Sequence, residues 1–480
     1  MDFTTDSGEG QLRVIQAFLA EHQGTGDLDA EELIAQLKRL RETGLPPLAC
    51  QNTLEMLFTC SSLYLKAQVG NFVGSRIPLD RGQRQQVHNL QKLLDKLAAA
   101  YEWLLENLPE DTALETLFPS LERVAFCLNQ HLYISYLVAA PAQQGIWQRL
   151  HRTHQRSLRA PLESAGHHRK LTAYREALLL AAGQPTSHAS RELEFAADYI
   201  ALLTERIAFT AEAPADSSAI FWIEPTRDFS LFALSRRAPP PEYHVFYFSC
   251  AHIAALVQQH LDALNAGSRA RDLHLPPLAD TPTGQGVLRR LIAAWGTPGK
   301  RRFPRRRQAN HQRAVLCAGL NRFCQLLQQN GARDDSKDFS QWMMINESPD
   351  GYALMHLTGA TGHIRIGDVV ALRPDADPGW LVCLVRWAIS ENPEHIEIGL
   401  QIIALDAIPG TLGDNASQVS VLLLPENTPM RTVPALLVPS GSITGKQCTL
   451  RLDGSNKVRE CKELTVIEQN GRIELFTFEV

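Results

Sequence analysis

A chain of 480 residues is long for one hydrophobic core, so two or three domains are expected. Its 44% hydrophobic and 21% charged residues suit a soluble globular protein, and a formal net charge of −5 argues against the whole molecule binding nucleic acid non-specifically. Nine cysteines, an odd number with no CxxC pair, argue against a disulfide framework and for reduced thiols. The acidic opening MDFTTDSGEG lacks the apolar stretch of a secretory signal, and no apolar run approaches the roughly 18 residues that cross a bilayer. A cytoplasmic protein without membrane insertion is expected.

Residues 9 to about 215 read as helix after helix. In VHNLQKLLDKLAAAYEWLLENL, Val87, Leu90, Leu94, Leu97, Tyr101, Leu104, Leu105 and Leu108 fall on one face at a spacing of three or four. LEMLFTCSSLYLKAQ and RELEFAADYIALLTERIAF repeat the pattern, with Asp27 and Ser190 as expected helix caps. No fixed-period repeat emerges. AIFWIE and EYHVFYFSC then read as strands around the loop APPPE, followed by helices at roughly 251–266 and in GQGVLRRLIAAWG. From about residue 342 the texture is of short strands at ten-residue spacing: WMMINES, GYALMHL, GDVVALR, WLVCLVRWAI and HIEIGLQIIAL, the pattern of a small antiparallel barrel or sandwich. The tail continues as strands, with QNGR an expected hairpin turn.

Two stretches stand out chemically. KRRFPRRR carries six positive charges in eight residues just ahead of the strands. Arginine is a planar fork of donors that grips phosphate, stacks on aromatic faces and reads the guanine edge. NESPDG then places Asn346 and Ser348 on alternate positions of one strand end, able to hydrogen-bond a base edge, with Gly351 permitting a positive φ or a close backbone approach.

Taken together, residues 299–410 resemble the PilZ domain, a bacterial receptor module for cyclic di-GMP. Arg301 and Arg305 match the R-x-x-x-R pattern, with Arg302 and Arg306 as a second register; Asn346, Ser348 and Gly351 match D/N-x-S-x-x-G; Gly367-Asp368, Val385-Arg386-Trp387 and Gly399-Leu400-Gln401 match the barrel strands that follow. The resemblance implies a six-stranded barrel and a ligand-binding set of Arg301, Arg302, Arg305, Arg306, Asn346, Ser348 and Gly351. The arginines would clamp phosphates and guanine, whether the ligand is a monomer or an intercalated dimer. About forty residues separate Arg305 from Asn346, longer than the family's usual spacing, and the insert NRFCQLLQQNGARDDSKDFSQ reads as a short helix and polar loop that either covers the site or lengthens a hairpin.

The expected fold is α+β and multidomain. A helical region occupies 1–215, a mixed α/β segment and linker 216–298, a PilZ-like antiparallel barrel 299–412, and a β module or barrel extension 413–480. The expected function is a non-enzymatic cyclic di-GMP receptor that passes its signal to the helical region and through it to a protein partner, with no DNA, metal or other cofactor. The alternative is a degenerate PilZ-like adaptor that binds a protein and no nucleotide. His151, His154, His167 and His168 lie in a stretch read as a solvated basic surface. Glu176-Ala177-Leu178 lacks the carboxylates of a phosphodiesterase, and Trp222, Trp342, Trp380 and Trp387 read as strand core. Arg386 reads either as lining the ligand site or as facing solvent.

Overall fold

Among the described residues of the computed structural model, ten α-helices and three short strands precede two β-barrels. It describes residues 3–22, 28–159, 170–215, 219–298, 306–307, 312–329, 339–361, 364–375, 379–392, 394–413, 418–426, 433–443, 445–453 and 458–479. The helical part runs α1 Phe3–Glu21, α2 Ala30–Glu42, α3 Pro47–Val69, α4 Arg81–Glu106, α5 Leu114–Leu137, α6 Ile146–Arg159, α7 Thr172–Ala182 and α8 Ser190–Ala201. The α4 face predicted from spacing is buried from Val87 to Leu105, while Leu108 falls beyond the helix. Capping follows local chemistry rather than the predicted positions. The α2 cap is Asp29, in a reciprocal box with Glu32, and Asp27 lies outside the described residues. Ser190 is the first residue of α8, and its hydroxyl accepts the Gly74 N–H at 2.7 Å.

Strands β1 Ile220–Ile223, β2 Phe232–Ala233 and β3 Phe246–Ser249 form a small antiparallel sheet in the order β2-β1-β3. It joins α9 Ala251–Asn265 and α10 Pro282–Gly296 to the core of the helical part. The described part of the histidine stretch, on α6, is not a solvated surface. His151 and His154 are buried on α6, where Nε2 of His151 donates to the Phe229 carbonyl at 2.7 Å and His154 stacks on Tyr174. Burial pushes the His154 imidazole down to about 3, so both rings serve as neutral packing groups. His167 and His168 lie outside the described residues, among which no cluster of His, Cys, Asp and Glu could hold a metal.

The first barrel contains β5 Arg313–Ala318, β6 Phe339–Ser348, β7 Gly351–Gly359, β8 Val369–Pro374, β9 Leu381–Asn392 and β10 His395–Ala404, preceded by β4 Arg306–Arg307. The strand order is β5-β8-β9-β10-β7-β6, closed by the β6–β5 pairing. Helix α11, Leu320–Gln328, interrupts the β5–β6 connection. A second closed barrel follows: β11 Ile408–Leu412, β12 Val419–Leu424, β13 Ala435–Pro439, β14 Cys448–Leu452, β15 Val458–Gln469 and β16 Ile473–Glu479, in the order β11-β12-β13-β16-β15-β14. The hairpin reading of the insert holds: β5 and β6 pair antiparallel on either side of the expected short helix, α11. Its apolar face (Leu320, Phe323, Cys324) packs into a core shared by the outer side of β8 and β9 and by the second barrel, through Val369, Val382, Leu422 and Leu437.

Candidate ligand site on the first barrel

Strand alternation alone would turn Asn346 into the barrel. Trp342 and Met344 point into the core, and Asn346 is two residues further along the same strand. A bulge at Ile345 changes this. Met344 pairs with Leu354, but Asn346 pairs with Ala353, the next residue along β7, so the strand slips by one. Residues directly opposite share a face. Asn346 and Ser348 therefore stand with Ala353 and Gly351 on the outer side, and both are half-buried.

The floor beside them is made of small residues. Ala353 pairs with Gly399, and Gly351 with Gln401. A Cβ on Gly351 would overlap the Leu400 carbonyl oxygen, so this glycine serves close backbone approach rather than a positive φ. A Cβ on Gly399 would overlap the indole of Trp387, which lies across it. Trp342 and Trp222 are core residues as expected. Trp387 and Trp380 are only half-buried, and Trp387 forms a wall of this outer face.

Each polar side chain has a distinct state. The Ser348 hydroxyl donates to Asp350 at 2.6 Å, with the Gly351 carbonyl 3.1 Å away, closing the β6–β7 turn. With its single proton committed, Ser348 retains lone pairs for an incoming N–H. The Asn346 side chain has no partner among the described residues. Its backbone pairs with Arg307 and that of Glu347 with Arg306, because β4 continues the line of β5 along the edge of β6. Arg301, Arg302 and Arg305 lie outside the described residues.

Arg386 neither faces open solvent nor is free to line a ligand site. A second bulge, in the β9–β10 pairing, sets it apart between Val385 and Trp387. Its Nε donates to Gln401 at 2.7 Å, and its two terminal nitrogens grip Glu468 of β15 at 3.0 and 2.9 Å. Burial alone would raise the Glu468 carboxyl, but the paired guanidinium holds it below the usual range. Position 468 offered no sequence signal, since a lone Glu on a strand looks like any solvated one.

Beyond Glu468, the QNGR turn forms as expected and closes on itself, the Asn470 side chain accepting the N–H groups of Arg472 and Ile473. It also joins three parts of the chain. Asn470 donates to the Gly367 carbonyl of the first barrel at 3.1 Å, Gly471 donates to Glu192 of α8 at 3.0 Å, and Arg289 of α10 donates to the Gln469 side chain. Asp368 lies beneath, 3.5 Å from Arg472. Burial pushes its carboxyl up to about 6 against the opposing charge of Arg472.

Comparison with known families agrees with this architecture. Residues 15–215 match the model of the N-terminal domain of the cyclic-di-GMP receptor FimW, and residues 322–409 match that of its middle PilZ domain. The two spans together cover more than half the chain. The second takes in Asn346, Ser348, Gly351, Arg386 and Gln401 but begins after the arginine-rich segment. No curated protein and no solved structure matches.

Proposed function

Because this chain belongs to the cyclic-di-GMP receptor FimW family, we propose that it binds cyclic di-GMP on the outer face of the first barrel and carries out no chemical step there. In this reading Asn346 and Ser348 take the guanine edge. Arg301, Arg302, Arg305 and Arg306 take phosphates and the guanine face, and Gly351 keeps the floor flat. The observation that carries the reading is the backbone pairing of Arg306 and Arg307 with Glu347 and Asn346, which lays the end of the arginine-rich segment against the motif strand. The bulge at Ile345 supports it, since it turns outward, at the same place, a carboxamide with no partner among the described residues.

The signal then has a physical route to the helical part. Gln401, paired with Gly351, holds Arg386; Arg386 holds Glu468; and the turn after Glu468 is bonded to α8 and α10. Ligand contacts that shift β10 or the arginine segment would change the free energy of this chain of contacts, biasing how the barrels sit on the helices. The helical part would present the output to a protein partner.

A thermal shift of the full chain tests the binding step. Cyclic di-GMP at a hundredfold excess over its Kd should stabilise the protein by about 2.7 kcal/mol and raise its melting temperature. No shift would favour the adaptor reading, in which the barrel binds no nucleotide. That alternative draws on the engagement of the Ser348 hydroxyl within its own turn.

A further inference from the structure

Where the helical part, the first barrel and the β15–β16 turn meet, they enclose a cleft of about 490 Å³. This is within the range of small-molecule pockets, roughly 300–1,000 Å³. Arg76, Arg191, Arg365 and Arg472 line it, and the carboxylate among its lining residues is Glu192. Glu192 is already committed: it pairs with Arg290 at 2.9 Å and accepts the N–H groups of Ala189 and Gly471. Arg472 has one partner, Asp368 at 3.5 Å, while the guanidiniums of Arg76 and Arg191 have none among the described residues. Guanidiniums gathered this way repel one another unless an anion joins them.

A second observation points to a ligand. His188 lines the same cleft and is 2% exposed. Its Nε2 donates to the Gly183 carbonyl at 3.2 Å, which leaves Nδ1 as an acceptor, and Nδ1 is buried without a partner among the described residues. Burial, with Arg290 nearby, pushes the ring down to about 3, so it stays neutral. A buried acceptor of this kind costs free energy until a donor meets it. The cleft therefore offers several phosphate-binding forks and, in its wall, one unmet acceptor that a hydroxyl or N–H donor meets once the His188 ring turns toward it.

We infer that this junction cleft is a second ligand site, for a compact diphosphate-bearing small molecule that also carries a hydroxyl or N–H donor, the chemistry of a nucleoside diphosphate. It shares no residue with the proposed cyclic di-GMP set, and it does not depend on that reading. A ligand here would touch both the helices and the first barrel, so it would fix the same junction that the Arg386–Glu468 contact reaches.

The test is calorimetric titration of the full chain with GDP, and separately with inorganic pyrophosphate. Saturable GDP binding is expected, with pyrophosphate weaker because it brings no ribose hydroxyl or base N–H for His188. Arg76→Ala combined with Arg365→Ala should weaken GDP at least tenfold. Neither arginine is fully buried, so the pair should fold, as an unchanged far-UV spectrum would verify. Asn346→Ala should leave GDP binding as it was. The inference is overturned if neither probe saturates, if the double variant binds GDP as wild type does, or if Asn346→Ala abolishes GDP binding, which would place the probe on the outer face of the barrel.

Discussion

The two barrels are built alike but differ in what becomes of the polar side chains they turn outward. Each has six antiparallel strands closed on themselves, and they share a core through α11. Both carry bulges that re-aim polar side chains. In the second barrel, the bulge at Ile467 precedes Glu468, and that carboxylate is consumed by Arg386. The following turn is likewise bonded to its neighbours at Gln469, Asn470, Gly471 and Arg472. In the first barrel, the bulge at Ile345 delivers Asn346 to a surface floored by Gly351, Ala353 and Gly399, and no described group takes it up. A polar side chain turned outward and satisfied is mortar, whereas one turned outward over a flat floor is available to a ligand.

That contrast can be broken by substitution. The largest effect should come from Gly351→Val, since the group it would strike is the fixed Leu400 carbonyl. A loss of about 3 kcal/mol or more in denaturant unfolding is expected. Gly399→Ala should cost less, because the Trp387 ring can swing away, and it should alter Trp fluorescence.

Asp368 comes next. Its folded-state pKa, raised by burial to about 6, means that the native state holds a proton that the unfolded chain releases at lower pH. Its contribution is therefore fully present below about pH 4 and is lost as pH rises through 6. Asp368→Asn should match wild type near pH 4 and exceed it by on the order of 2 kcal/mol at pH 7.5, so the gap between the two stability–pH curves should open as pH rises through 6.

Glu468→Gln sharpens the comparison from the other side. It removes the charge that Arg386 grips while keeping the shape, and should destabilise by about 1–2 kcal/mol. Cyclic di-GMP binding should survive, but ligand-induced changes in amide exchange should no longer reach α8 and α10. The smallest effect belongs to the exposed Lys462–Glu460 pair on the same strand. Replacing either residue with Ala should shift stability by no more than about 0.5 kcal/mol.

Much of the fold was legible in the sequence. Helical periodicity marked α4 because its leucines recur on one face, and alternating β-branched runs marked the first barrel. Caps were misplaced because several polar residues cluster near each helix start, and geometry alone selects Asp29. The histidines misled because the arginines among them made the stretch look solvated, whereas the Arg156 guanidinium of that stretch donates to the Leu105 carbonyl of α4. At the site, the motif residues could be read, but the bulge that turns Asn346 outward could not, since it depends on register against β7. The roles of Arg386 and Trp387 were hidden for the same reason: their partners, Glu468 and Gly399, are fixed by tertiary packing.

The central claim is that Asn346, Ser348 and the arginine segment form one nucleotide-binding face. Calorimetric titration of cyclic di-GMP into wild type, Asn346→Ala and Arg305→Ala tests it most directly. The account predicts saturable binding to wild type and a loss of roughly 2–4 kcal/mol, some thirtyfold to several hundredfold in Kd, in Arg305→Ala, with a smaller loss in Asn346→Ala. Equal binding by all three proteins, or none by wild type, would contradict it.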